Sequence, residues 1–334
     1  MNAVVNDPST LPAPLLPDRA AIESAAEFLR PLVPPTPQYA WSQVSAAFGA
    51  EVWLKHENHT PIGAFKARSA AIYFRKLLER EPGTRGVITA TRGNHGQAVA
   101  LAARRFKLPA TVYVPHGNNV EKNDAIRSLG AQLVEFGDDF QAAREEAGRV
   151  GARDGLHLVP PFHADIVLGV STCWAEFFGA APALDVVYVP IGQGSGICGA
   201  AAARNLFSPN TRIVGVVSSQ APCFSRSFAA RRVVEAPVST FLGDGMACRK
   251  PDAEAVAIVV ANVDHIVEVG DAELAAAMRR IFAMTHNVAE GAGAAAFAGA
   301  WRERESLAGL RVGLSLSGGN VDSAVFADVL AGKY

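Results

Sequence analysis

Cysteine is scarce in this chain: only four of 334 residues, at Cys173, Cys198, Cys223 and Cys248. Their even spacing is matched by no similarity in the flanking residues, so it marks no repeat. None forms a CxxC clip, which argues against a zinc or disulfide framework and for reduced packing residues. Long apolar runs are also missing. No uninterrupted stretch approaches the roughly 18 to 20 residues needed to span a bilayer. The N-terminal MNAVVNDPSTLPAP lacks the basic flank and apolar run of a leader, so a cytoplasmic protein is expected. Charge of one sign is absent as well. Lys plus Arg number 31 and Asp plus Glu 32, a net charge of −1 that offers no field for nucleic acid or an anionic membrane. A small-molecule ligand is the expected partner. Nor does any Gly-, Ser- or Pro-rich linker divide the chain, so a second domain would be an insertion and not a tail.

What is present is a large apolar fraction, 49% of residues, arranged in a regular rhythm. Residues 1 to about 40 carry Pro8, Pro12, Pro14, Pro17, Pro31, Pro34, Pro35 and Pro37, and predict an arm over the surface without long regular structure. Beyond it, EVWLKHE, GVITA, ATVYVP, AQLVEFG, DVVYVPI, RIVGVV, HIVEVG and RVGLSLS read as strands. Each is followed by an Ala-rich or amphipathic stretch. That alternation predicts an α/β fold with open, mainly parallel sheets covered by helices on both faces.

Four segments carry candidate chemistry. In Thr60-Pro61-Ile62-Gly63-Ala64-Phe65-Lys66-Ala67-Arg68, Thr60 is expected to cap a helix that runs to about Glu81, with Pro61 as its first residue. Lys66 would then lie beside the apolar face made by Ile62, Phe65, Tyr73 and Leu77. A helix N-terminus and apolar neighbours both disfavour ammonium, as a Schiff-base lysine requires. The segment Thr89-Ala90-Thr91-Arg92-Gly93-Asn94-His95-Gly96-Gln97 joins a strand to a helix, where free N–H groups suit a carboxylate. Gly192-Gln193-Gly194-Ser195-Gly196 follows another strand and suits a phosphate. It lacks the Lys-Ser/Thr of a P-loop, and no acidic residue follows about 20 positions on to hold a dinucleotide ribose. Ser317, in Leu316-Ser317-Gly318-Gly319-Asn320, offers one hydroxyl at the end of the last strand, where open α/β sheets place ligands.

In this order the four segments resemble the fold-type II pyridoxal-phosphate enzymes, which share the two-domain fold of the tryptophan synthase β subunit. The closest resemblance is to the branch of serine and threonine dehydratases and serine racemases. It extends from about residue 35 to the C-terminus and implies a large domain of residues 1–82 plus 157–334 with a substrate domain, 83–156, inserted. It also implies roles. Lys66 would hold pyridoxal 5'-phosphate covalently, with Phe65 against the ring and Asn94 on its 3-hydroxyl. Gly192, Gln193, Gly194, Ser195 and Gly196 would hold the phosphate, Ser317 would face the ring nitrogen, and Glu290 would stand near the ring. Thr91, Arg92, Gly93, Asn94 and His95 would bind substrate. The implied reaction is conversion of a β-hydroxy amino acid of the threonine or serine type, phenylserine and hydroxyaspartate included, to a 2-oxo acid and ammonia, by a homodimer. A β-replacement synthase, an amino-acid racemase and a non-catalytic binding protein are the alternatives.

Three departures refine the expectation. The family loop commonly reads Ser-Ser-Gly-Asn-His, and its second serine serves racemases as a base; here Arg92 stands there and cannot accept a proton. It could instead meet a second carboxylate or an aromatic ring. Asp244 is the only carboxylate matching the family's divalent-metal site, so no metal is expected. The few residues after Ser317 leave no room for the regulatory domain of biosynthetic threonine dehydratases, which points to a catabolic or specialised role.

Overall fold

A computed structural model describes residues 11–12 and 15–334. Its strands, in chain order, are β1 (Gln38–Ala40), β2 (Glu51–His56), β3 (Val87–Ala90), β4 (Ala110–Val114), β5 (Gln132–Glu135), β6 (His157–Leu158), β7 (Val186–Pro190), β8 (Arg212–Ser218), β9 (His265–Val269) and β10 (Arg311–Leu316). All eight strands read from the sequence are present. The two-residue β6 and three-residue β1 are too short for any apolar pattern to announce them.

The strands form two sheets. One has six strands in the order β1-β2-β10-β7-β8-β9, and the other four in the order β5-β4-β3-β6. Every pairing is parallel except β1 with β2 at the edge. Parallel strands joined by helices are buried on both faces, and the side chains alternate accordingly. Along β7, Val186 and Tyr188 join a core with Leu274 and Phe297, while Val187 and Val189 join another with Trp174, Phe177 and Ile197. The smaller sheet repeats the arrangement. Val112 and Val114 pack with Val99 and Ile126 on one side, and Tyr113 packs with Ala143 and Ala147 on the other.

The proline-rich segment departs from expectation. Between Pro17 and Pro31 lies a proline-free window, and Arg19–Leu29 is helical, with Asp18 Oδ1 accepting from Ala21 N at 2.8 Å as its cap. Ile22, Ala25 and Leu29 recur at helical spacing and are buried with Ile72, Leu168 and Ala202. The prolines therefore delimit this helix and do not forbid it; Pro8 and Pro14 lie outside the described residues. Among the described residues, no helix is long and apolar enough to cross a membrane.

Candidate active site

Strands β10 and β7 are neighbours at the centre of the larger sheet, and their loops leave its C-terminal edge side by side. This is where chain direction across the sheet reverses and a crevice opens. The loop after β10 carries Ser317, and the loop after β7 carries Gly192–Gly196. From the other sheet, β3 delivers Thr91–His95 to the same crevice. Phe65, Lys66, Thr91, Arg92, Gly93, Asn94, His95, Gly192, Gln193, Gly194, Ser195, Gly196, Glu290 and Ser317 all line one pocket. Every candidate residue read from the sequence is thus brought together.

Lys66 is placed differently from expectation. The helix runs Lys66–Arg80, with Phe65 at its cap position, so Thr60 and Pro61 lie in a preceding turn. The Thr60 hydroxyl is consumed there, accepting from Ala64 N at 2.9 Å and donating to Ala64 O at 2.7 Å, and it cannot also cap the helix. The turn is tied to the Ser317 loop by Phe65 N donating to Ser317 O (3.0 Å) and Gly319 N to Gly63 O (2.9 Å). Two residues beyond Lys66 the helix is anchored in the interior. Arg68, fully buried, donates to Glu57 at 2.8 Å and to Glu176 at 2.7 Å.

Fixed in this way, Lys66 Nζ donates to Ser195 Oγ at 3.1 Å, across the mouth of the helix Ser195–Phe207, and stands 5.0 Å from the centre of the Phe65 ring. Burial lowers its pKa from 10.5 to about 8, because the charged form loses water and gains no counter-ion. Beneath it, Gly194 holds φ +99°, a left-handed conformation that turns the chain into the helix and that L side chains rarely adopt. The N–H groups of Gly194, Ser195 and Gly196 donate to no protein acceptor among the described residues. Orphan donors at a helix start are an anion site, strengthened by the helix dipole. Gln193 lies beside it, its Oε1 accepting from the buried Cys248 Sγ at 3.6 Å.

The Thr91 loop faces this from the other sheet. Thr91 Oγ1 accepts from Gly93 N (3.0 Å) and Gly96 N (3.3 Å), which fixes the loop. His95 Nε2 lies 3.2 Å from Thr89 Oγ1, and burial, then the charge of Lys66, lowers its pKa to about 3, so its ring is neutral. Asn94 Nδ2 donates to Glu290 Oε1 at 2.5 Å, and its Oδ1 accepts from Asn320 Nδ2 at 2.8 Å. Ser317 Oγ, nearly buried, has only a long bond to Ala292 O, 3.4 Å. Arg92 is exposed at the rim and has no carboxylate within 4 Å among the described residues.

Lys122 was not singled out by the sequence. It comes from the helix Val120–Ser128, is 5% exposed, and its Nζ lies 2.8 Å from Asp244 Oδ2 and 3.1 Å from Glu290 Oε2. Burial alone would lower its pKa, but Glu290 and Asp244 hold it above the ordinary value. Burial pushes the Glu290 carboxyl up, and Asp244 adds to this, against the opposing charge of Lys122. Asp244 thus serves an ion triad that bridges elements of the two sheets. The sequence marks Asp244 only through its match to the family's divalent-metal site, and nothing local to Lys122 announces the triad.

Comparison with known proteins agrees with this geometry. Residues 29–318 match the family model of the pyridoxal-phosphate dependent enzymes. The chain is 32% identical over 321 residues to the L-threo-3-hydroxyaspartate ammonia-lyase of Saccharomyces cerevisiae, covering 96% of this chain and 98% of that one. It is 34% identical over 302 residues to the L-threonine ammonia-lyase of Thermotoga maritima, covering 90% and 75%. The solved structure of maize serine racemase superposes with a TM-score of 0.87 at 26% identity, over 95% of this chain and 98% of that one. The lysine, the free N–H groups of the glycine loop and the Thr91–His95 loop converge at one sheet edge, and the chain belongs to the pyridoxal-phosphate dependent enzymes, as a fold-type II lyase of the branch shared by serine and threonine ammonia-lyases and serine racemases, with pyridoxal 5'-phosphate as its cofactor.

Proposed function

We propose that this lyase converts a β-hydroxy amino acid of the serine or threonine type to a 2-oxo acid and ammonia, with Lys66 as the residue bonded to the cofactor. The observation that carries the reading is the Lys66 amine, partly dehydrated and 3.1 Å from Ser195 at the head of a helix whose first N–H groups suit an anion. These groups fit the cofactor. The free N–H groups at Gly194–Gly196, with Gly192, Gln193 and the Ser195 hydroxyl, would hold its phosphate, while Lys66 would bind its aldehyde carbon. Phe65 and Glu290 would border its ring, Asn94 would bond its 3-hydroxyl and Ser317 would offer its hydroxyl to the ring nitrogen; all four line the same pocket. When bound, the cofactor supplies a sink for the electrons left behind when a proton departs from the substrate α-carbon.

The chain's own residues do the rest. Thr91, Gly93, Asn94 and His95 hold the substrate carboxylate, and a neutral His95 adds no charge to be compensated. Lys66 Nζ would remove the proton from the substrate α-carbon, and its lowered pKa suits it to act as a base near neutral pH. The serine at 317 donates a single hydrogen bond and no charge, which favours elimination over reactions needing a long-lived carbanion. Racemisation needs a second base on the opposite face, and the guanidinium of Arg92 cannot be one.

The domain division belongs to the same reading: residues 83–156 as an inserted substrate domain, 1–82 plus 157–334 as the large domain. The separate sheet with β3, β4 and β5 supports it, with β6 at the border. Four buried free cysteines accord with a reducing cytoplasmic setting, and family membership supports a homodimer. The test is direct. Protein reconstituted with pyridoxal 5'-phosphate should be yellow and release 2-oxo acid from at least one of serine, threonine, phenylserine or hydroxyaspartate. Lys66→Ala should lose both properties, and a variant that kept its visible band and its turnover would refute the assignment.

A further inference from the structure

The charges lining the pocket can be accounted for one by one. Lys66 is committed to the cofactor in the reading above. Lys122 is shared between Asp244 at 2.8 Å and Glu290 at 3.1 Å. Arg92 is left as the single cation lining the pocket that is neither covalently committed nor paired with a carboxylate, among the described residues.

We propose that Arg92 determines substrate class, selecting β-hydroxy amino acids whose side chain bears a second carboxylate. This rests on the ammonia-lyase reading and adds the side chain to it. Lys122 is held by both carboxylates of the Asp244–Lys122–Glu290 triad and has no charge to spare for a substrate side chain, and the cofactor phosphate would itself be an anion. An anionic side chain entering the pocket is opposed unless a free cation meets it. Arg92 lies in the loop assigned to the α-carboxylate, between Thr91 and Gly93. In a four-carbon dicarboxylic amino acid the two carboxylates are separated by two carbons, so one loop can serve both, the α-group through its backbone and Asn94, the β-group through the Arg92 fork. An apolar side chain needs no such cation, because Phe140 and Pro161 also line the pocket. A substrate carrying a second ammonium is disfavoured by the same guanidinium.

The test uses the holoenzyme and the variants Arg92→Ser and Arg92→Lys. The measured quantity is the ratio of kcat/KM for 3-hydroxyaspartate to that for threonine, with phenylserine as a third arm. We expect Arg92→Ser to lower the ratio about tenfold or more, as loss of a charge-assisted hydrogen-bonded pair does, and Arg92→Lys to fall between. Because Arg92 is exposed, about 0.5 M salt should reduce the wild-type ratio too. A second readout is independent of turnover: Arg92→Ser should weaken binding of malonate to the holoenzyme about tenfold relative to propionate, by calorimetry. A ratio unchanged in Arg92→Ser overturns the inference. So does an equal loss with phenylserine, which would make Arg92 an aromatic contact, or a wild type that takes threonine and not hydroxyaspartate; both leave the ammonia-lyase reading standing. Failure of the wild type on every β-hydroxy amino acid would overturn that reading itself.

Discussion

Replacing Lys66 by methionine in the cofactor-free protein should stabilise it at neutral pH, although it removes the residue on which activity depends. The amine titrates at about 8 in the fold and at 10.5 unperturbed. That difference, at about 1.4 kcal/mol per pH unit, means the folded ammonium costs about 3 to 4 kcal/mol wherever both states are protonated. The sign follows from the direction of the shift: the unfolded chain binds this proton more tightly, so the cost is full below pH 8, shrinks between 8 and 10.5, and vanishes above. Methionine keeps the stem and removes the charge, at a loss of about 1 kcal/mol for the bond to Ser195. The variant should be about 2 to 3 kcal/mol more stable at pH 7, and this advantage should disappear by pH 10.5. Urea midpoints of both apoproteins at pH 7, 9 and 10.5 measure it. A difference that stays constant across this range would refute the reasoning, since it would show that the amine is not dehydrated by the fold.

Two further substitutions probe the groups around it. Lys122→Met leaves the buried Glu290 and the partly exposed Asp244 without their shared ammonium, and should cost about 3 kcal/mol of stability together with most of the activity. Lys122→Arg should recover part of both, and a melting temperature indifferent to Lys122→Met would deny the triad any structural role. Gly194→Ala forces a side chain into φ +99° and sets a Cβ 2.8 Å from that of Ala255. The strain, about 1 to 3 kcal/mol, is released if the loop shifts its N–H groups off their ligand. Titration with pyridoxal 5'-phosphate should show affinity weakened by about tenfold or more, and undiminished affinity would show that these amides do not hold the phosphate.

The legible part of this protein is the part written in local pattern. Apolar runs such as DVVYVPI must be strands buried on both faces, and β7 sends Val186 and Tyr188 one way, Val187 and Val189 the other. The glycines at 192, 194 and 196 between a strand and a helix likewise announce a ligand loop. Local pattern misled at Thr60, whose cap-like position before Pro61 is real but whose hydroxyl satisfies its own turn. It misled again at the prolines of the N-terminal segment, where composition was counted and the proline-free window from Asp18 to Arg30 was not.

By itself, then, the sequence determined the α/β alternation, the four loops and the lysine with its family, because each depends on residues within a few positions of one another. Only the tertiary structure decided that Lys122 meets Asp244 and Glu290, which lie more than a hundred residues away, that Lys66 is dehydrated, and that Arg92 meets no carboxylate among the described residues. Burial and charge pairing depend on what the folded chain brings alongside a group, and no spacing along the chain encodes that.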